Sequence, residues 1–146
     1  MDAILLAGGY ATRLYPLTKD RAKALLPVAG KPILDHVVEA LEAADDIERM
    51  YLVTKDKFAE DFANWAEQRD GSKPVNVLND GTTSNEDRLG AIGDIRFVIE
   101  ESDVRTEEGV YALGTDNLAD FDITDIVDLA LEREASAIFA SRIEDR

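Results

Sequence analysis

Two glycines, an arginine and a lysine near the start of the 146-residue chain carry the first chemistry that its sequence offers. Gly8 and Gly9 close the short apolar run Ala3-Ile4-Leu5-Leu6-Ala7 and open the stretch Tyr10-Ala11-Thr12-Arg13-Leu14. Glycines let a backbone bend sharply and let a polyphosphate approach its N–H groups. Arg13 offers a planar, permanently charged fork to phosphate oxygens, and Lys23 adds a compact ammonium. Two cations on one loop suit a triphosphate whose pyrophosphate must leave with its charge stabilised. The run is neither a dinucleotide fingerprint, G-x-G-x-x-G, nor a Walker loop, since no G-K-[ST] occurs. Taken by spacing alone, it is equally a tight turn flanked by two solvated cations. Much later, Gly114-Thr115-Asp116-Asn117 follows another apolar run and supplies a carboxylate, Asp116, which is either a turn residue or a metal ligand.

These residues need elements to bring them together. Continuous apolar runs at 3–7, 50–54, 75–78, 110–113 and 136–140 read as buried parallel strands. Between them, apolar residues recur at helical spacing. Ile33, Leu34, Val37, Val38 and Leu41 follow Pro32, and Phe58, Phe62 and Trp65 share one face of a helix over 56–69. Leu89, Ile92 and Ile99 predict a helix over 85–101, with Ser84 as its N-cap and Asp87 at the capping-box position. A helix over 123–134 buries Ile126, Val127, Ala130 and Leu131, with Asp122 as its cap. Residues 8–31 read as loop. Short strands alternating with amphipathic helices predict an α/β fold: three layers, a Rossmann-like, mostly parallel sheet with helices on both faces, in one domain over 1–146. Ligands of such sheets bind beyond the carboxyl ends of the strands. The loops at Gly8, Asn79 and Gly114 would then share one cleft. His36 reads as a packing or surface residue, and Lys31 as the partner of a nearby carboxylate.

The run from Leu5 to Leu41, L-L-A-G-G-Y-A-T-R-L-Y-P-L-T-K-D-R-A-K-A-L-L-P-V-A-G-K-P-I-L-D-H-V-V-E-A-L, resembles the N-terminal signature of the sugar-1-phosphate nucleotidyltransferases. That signature reads L-A-G-G-x-G-T-R-L-x-P-L-T followed by P-K-x-L-L-P-V-x-x-K-P. Residues 111–122, Y-A-L-G-T-D-N-L-A-D-F-D, resemble the family's G-D-N after a strand. The resemblance implies that an NTP and a sugar 1-phosphate give an NDP-sugar and pyrophosphate. It implies backbone contacts to the base from Leu6, Ala7 and Gly8, and a triphosphate wrapped by Gly9, Thr12 and Arg13. Arg13 and Lys23 would stabilise the leaving pyrophosphate, and Asp116 would hold Mg²⁺. The partners implied are an NTP and a phosphorylated small molecule, in the cytoplasm, with no nucleic acid or membrane and with a homo-oligomer as an option. In the family the loop after the third strand helps select the base, which makes Asn79, Gly81 and Thr82 nucleotide-binding candidates. Ordinary turn chemistry explains that loop equally well.

Four features depart from the family pattern. Ala11 stands where Gly is preferred, Ala22 where Pro precedes the lysine, and Thr115 where Gly precedes the aspartate. The sequence also ends before the region that supplies a Glu-Lys-Pro lysine, a second metal-binding aspartate and much of the acceptor pocket. Two other readings therefore stay open. One is a cytidylyltransferase for a non-sugar alcohol phosphate, suggested by the spacing of Asn79-Asp80 and Asn85. The other is a non-catalytic nucleotide-sensing subunit.

Composition narrows the field from the other side. Hydrophobic residues make up 45% and charged residues 32%, which excludes a disordered tail. Cys is absent and His36 is the single histidine, so disulfides, thiolate metal sites and His-rich zinc sites are excluded. The opening residues carry no basic segment of a signal peptide. A formal charge of −15 is unsuited to wrapping nucleic acid, though a local pocket can still bind phosphate. Arg exceeds Lys and Asp exceeds Glu, a balance that leans toward a surface adapted to high salt, where carboxylate repulsion is screened. On that reading, stability to urea rises as KCl goes from millimolar to molar. Urea midpoints independent of KCl would remove the idea.

Overall fold

The computed structural model describes residues 1–9, 11–118 and 122–138. Among these, four strands form one parallel sheet: β1 (Asp2–Leu6), β4 (Arg49–Thr54), β5 (Val75–Asn79) and β6 (Val110–Gly114), in the order β5-β4-β1-β6. A separate two-stranded antiparallel ladder joins β2 (Pro27–Val28) to β3 (Lys31–Pro32). β1 lies inside the sheet. Ile4 is opposite Tyr51 on one side and Ala112 on the other, and Leu6 is opposite Val53 and Gly114.

Because β1 is covered on both faces, it has no polar alternation, and Ala3, Ile4 and Leu5 are all fully buried. Ala3 and Leu5 face a core built with α1 (Ile33–Ala43), α2 (Asp56–Gln68) and α4 (Ile123–Arg133). Ile4, with Tyr51 and Val53, faces α3 (Gly90–Glu101) through Val98. The three-layer α/β fold expected from the sequence is therefore the one found. The Trp65 indole packs on the larger core and donates to Asp35 Oδ1 at 2.7 Å, so it belongs to packing. Lys31 pairs with Glu39, and Asp122 caps α4 by accepting from the Thr124 N–H at 2.9 Å. His36 Nε2 lies 2.9 Å from the Val28 carbonyl, a structural contact. No helix among the described residues is long and apolar enough to cross a membrane.

Three expectations need correction. The helix expected over 85–101 begins at Gly90. The reciprocal bonds expected of a capping box do form: Ser84 N–H donates to Asp87 Oδ1 at 2.9 Å, and Asp87 N–H donates to Ser84 Oγ at 3.3 Å. They close a turn and not a helix. Gly90, with φ +74°, then redirects the chain before α3 starts. The stretch 8–31, read as loop, contains 3-10 turns at Thr12–Leu14 and Lys23–Leu25 and the first strand of the β2/β3 ladder. The strand expected over 136–140 is not found at 136–138, and its last two residues lie outside the described ones.

At the amino end of the sheet sits a buried carboxylate, Asp2, which is fully buried. Arg49 Nη2 donates to its Oδ2 at 2.7 Å, and Arg105 Nη2 donates to its Oδ1 at 2.8 Å. Burial pushes its pKa up, but the hydrogen bonds from Arg105 and Arg49 outweigh burial and hold it well below the usual carboxylate range. Asp2→Ala deletes the charge-assisted hydrogen bonds from both guanidiniums, which keep Asp103 and Glu48 as partners, and is expected to cost about 1.5–3 kcal/mol in urea unfolding at pH 7. A carboxyl whose pKa is depressed by folding stabilises fully above its unfolded value and loses that contribution as pH falls. The gap between parent and variant should therefore hold down to about pH 4 and narrow only below it.

Candidate functional site

The carboxyl ends of β1 and β6 open into a cleft of about 660 Å³. Its wall begins at Leu6 and Ala7, continues through Gly9 and the turn from Ala11 to Leu14, and includes Lys23, Thr115 and Asp116. Arg13, Lys23 and Asp116, far apart in sequence, therefore face one space. Lys23 Nζ donates to Asp116 Oδ2 at 2.8 Å across 93 residues of sequence. Both side chains are partly exposed, 33% and 46%. Asn117 Nδ2 donates to the other oxygen, Asp116 Oδ1, at 3.1 Å.

The first loop is held by its own backbone. Ala7 N–H donates to the Val53 carbonyl at 2.9 Å, which keeps the chain in sheet register just past β1. Ala11 then adopts φ 46°, ψ 38°, a left-handed conformation. Its carbonyl accepts from Leu14 N–H at 2.9 Å and from the Thr18 hydroxyl at 2.7 Å, and Thr18 is 1% exposed. A buried hydroxyl thus clamps the turn that carries Arg13. Lys23 follows Ala22, whose φ of −62° is the value a proline ring would impose, so the backbone there is one that proline would share. Thr115 also has a role. Its N–H and hydroxyl both donate to the Leu6 carbonyl, at 3.2 and 3.1 Å, and tie the end of β6 to the end of β1.

Asn79, Gly81 and Thr82 are not part of the cleft wall; they serve the start of α2. Asn79 Nδ2 donates to Asp56 Oδ1 at 2.9 Å, and the Thr82 carbonyl accepts from Asp56 N–H at 3.1 Å. Asn79 Oδ1 accepts from Gly81 N–H, and Thr82 bonds to Asp80 through its N–H and its hydroxyl. Further along the same loop, Asn85 and Arg88 do line the cleft, and Arg88 Nη1 donates to Asn85 Oδ1 at 3.2 Å. Assigning 85–101 to a helix hid them on its presumed outer face. The signal that could have exposed them is Gly90, a natural place for a helix to start late. The turn itself is fixed by Asp87, whose pKa the backbone N–H groups of Thr83 and Ser84 hold below the usual range.

Behind the loop lie buried ionisable groups that periodicity did not reveal. Lys55 is fully buried at the end of β4, and burial, aided by the charge of Lys57, lowers its ammonium to about 7. Asp94, on α3, is 6% exposed, and burial, aided by the charge of Asp80, raises its carboxyl to about 6. Among the described residues no group of three or more acids or histidines is placed to hold a metal. A carboxylate such as Asp116 holds a hard divalent cation together with phosphate oxygens and water, as Mg²⁺ is usually bound.

This loop, its cations and the carboxylate opposite converge at the carboxyl edge of a parallel sheet. The chain belongs to the nucleotidyl transferase family, whose model matches residues 2–146. It is 49% identical to the "Bifunctional protein GlmU" of Methanococcus maripaludis over 42% of this chain and 15% of that protein. It is 33% identical to the "Putative mannose-1-phosphate guanyltransferase" of Sulfolobus acidocaldarius over 99% of this chain and 38% of that one. The fold is shared with the crystal structure of HddC from Yersinia pseudotuberculosis, with a TM-score of 0.68 and 22% identity over 90% of this chain and 54% of that one. The chain thus spans well under half the length of these two curated relatives.

The left-handed Ala11 gives a direct test of the loop's backbone. A non-glycine residue there costs about 1–2 kcal/mol, and a glycine's greater freedom when unfolded takes back about 0.5–1. Ala11→Gly is therefore expected to raise stability by up to about 1.5 kcal/mol, read as a higher urea midpoint. A lower midpoint would mean that the loop does not hold this conformation.

Proposed function

We propose that this chain carries the nucleotide-binding half of a sugar-1-phosphate nucleotidyltransferase, which joins an NTP to a sugar 1-phosphate and releases pyrophosphate. The observation that carries the reading is the convergence of Arg13, Lys23 and Asp116 on one cleft at the carboxyl edge of the sheet. The relative named as a putative mannose-1-phosphate guanyltransferase supports a sugar phosphate as acceptor. The backbone at Leu6, Ala7 and Gly8 takes the base, and Gly9, Thr12 and Arg13 take the phosphates. We infer that residues outside this sequence complete the acceptor pocket. A cytoplasmic setting and an acidic surface suited to high salt belong to the same reading.

In the reaction an oxygen of the acceptor's phosphate attacks the α-phosphorus of the NTP. The bond from that phosphorus to the α–β bridging oxygen breaks, and the oxygen leaves with the electron pair on pyrophosphate. The attacking phosphate is already anionic, so no side chain needs to remove a proton. What the chain supplies is position and charge. Arg13 offers a forked donor to the departing phosphates, and Lys23, a short reach away, adds a point charge. The Thr18 clamp on Ala11 keeps the Arg13 turn in place before any ligand arrives. Asp116 would hold Mg²⁺, which when bound neutralises charge on the phosphate oxygens.

The cytidylyltransferase reading loses part of its ground, because Asn79 is engaged with Asp56 and only Asn85 of the pair lines the cleft. The sensor reading rested on Ala11, on Ala22 and on where the sequence ends; Ala11 adopts a left-handed conformation and Ala22 one that a proline would share.

Pyrophosphate release by the full-length encoded protein, measured with a matrix of NTPs and phosphorylated acceptors in Mg²⁺, tests this. A sugar 1-phosphate should be turned over, and Arg13→Ala should lower kcat/KM by about 10²–10³-fold. A full-length protein that binds NTP yet releases no pyrophosphate with any acceptor would be a sensor. An Arg13→Ala variant that binds NTP as tightly as its parent would dissolve the phosphate assignment.

A further inference from the structure

The cleft holds one more cation than the leaving pyrophosphate uses. Arg88 lines it together with Arg13, Lys23 and Asp116. The residue is exposed, and its Nη1 donates to a neutral acceptor, Asn85 Oδ1, at 3.2 Å. Arg88 makes no ion pair among the described residues, whereas Lys23 is paired with Asp116 at 2.8 Å. The carboxylate beside it in sequence, Asp87, is occupied, because its two oxygens accept from the N–H groups and hydroxyls of Thr83 and Ser84. Asp and Glu outnumber Lys and Arg 31 to 16, so acidic partners abound in this chain. A guanidinium left without one, on the wall of a cleft, is available to an anion from outside.

The sheet decides from which side Arg88 comes. In the order β5-β4-β1-β6, Arg13 belongs to the loop after β1, Asp116 to the one after β6, and Arg88 to the one after β5. Asp116 and Arg88 therefore reach the cleft from opposite flanks of β1, and Lys23 is bonded to Asp116. Displacement at phosphorus has a matching polarity: the attacking and the leaving oxygens stand roughly in line, on opposite sides of the phosphorus. With the departing phosphates gripped by Arg13 and Lys23, the attacker enters from the side away from Lys23 and Asp116. It is itself a phosphate, and it approaches a phosphorus whose oxygens are also negative. A cation on the entry side offsets that repulsion.

We propose that Arg88, oriented by Asn85, binds the phosphate of the acceptor, so that the cleft has two anion subsites that fill together. The inference rests on the nucleotidyltransferase reading given above. The planar fork of a guanidinium takes two oxygens of a phosphate monoester side by side and leaves a third free to attack. Asn85 holds one arm of the fork without neutralising its charge. The turn that carries both residues is fixed by the chain itself, through Asp87 on Thr83 and Ser84 and through Gly90, with φ +74°, where α3 begins. Residues outside this sequence add to the acceptor pocket, but one cation for its phosphate comes from this chain.

Inorganic phosphate stands in for the acceptor's phosphate, and magnesium pyrophosphate for the leaving group, in calorimetric titrations of the full-length encoded protein at pH 7.5. The parent saturated with magnesium pyrophosphate should still bind one inorganic phosphate. Arg88→Gln should weaken inorganic phosphate at least tenfold and shift pyrophosphate less than twofold, and Arg88→Lys should recover part of the loss. Arg13→Ala should do the reverse, weakening pyrophosphate and sparing phosphate. Thermal unfolding would establish that the variants are folded. The proposal falls if pyrophosphate excludes inorganic phosphate, since the cleft then has one anion subsite. It also falls if Arg88→Gln weakens pyrophosphate as much as phosphate, which makes Arg88 a ligand of the polyphosphate, or if it moves neither. A parent that binds pyrophosphate but no inorganic phosphate overturns this inference alone. A parent that binds neither takes down the nucleotidyltransferase reading as well.

Discussion

Parallel pairing of β1 on both of its edges is the constraint from which the site follows. With β4 on one side and β6 on the other, all in parallel register, Leu6, Val53 and Gly114 end at one level. Whatever chain leaves those strands must emerge at the same edge of the sheet. Arg13 and Asp116 are brought to one cleft by this register, with no need for a long-range contact of their own. The Thr115 hydroxyl on the Leu6 carbonyl adds a last stitch just beyond the regular ladder. A one-residue slip of β6 against β1 would turn its side chains to the opposite face and move the carboxylate away from the cations.

The two ends of the sheet treat buried charge in opposite ways. At the amino end Asp2 is satisfied by two guanidinium groups, and Arg49 and Arg105 reach on to Asp103 and Glu48. Tyr51 joins this network by donating to Asp103 Oδ1 at 2.7 Å, and burial together with that bond pushes its phenol up to about 12. This end is closed electrostatically and serves stability. At the carboxyl end Asp94 is buried with an oxygen left over, and Lys55 is buried with its charge disfavoured. Charge is kept there at a cost to stability, a pattern common around functional clefts.

The large elements were legible because burial leaves a strong periodic imprint. The run 3–7 could only be a strand covered on both faces, and Ile33 through Leu41 could only be an amphipathic helix after Pro32. That Arg13, Lys23 and Asp116 would face one cleft was legible as well, through loop position and a long ungapped resemblance. What escaped was local competition. Ser84 and Asp87 make the side-chain bonds of a helix start, but Gly90 resets the backbone, so the same bonds close a turn. Sequence also did not show that Asn79 and Thr82 make hydrogen bonds to the exposed start of α2. Asp94 was invisible for another reason. Periodicity marks which face of a helix is inward but says nothing of an acid on that face with no partner nearby in sequence.

The contact between Gly8 and Asp94 also bears on how the molecule can change over time. A Cβ at position 8 would lie 3.0 Å from Asp94 Oδ2, so a side chain there is accommodated only if that carboxyl gives way. Substitutions at 8 and at 94 are then felt by each other, and the order in which they arise matters. Lineages that remodel this contact should therefore vary the two positions jointly, as a single heritable unit written at two places in the gene.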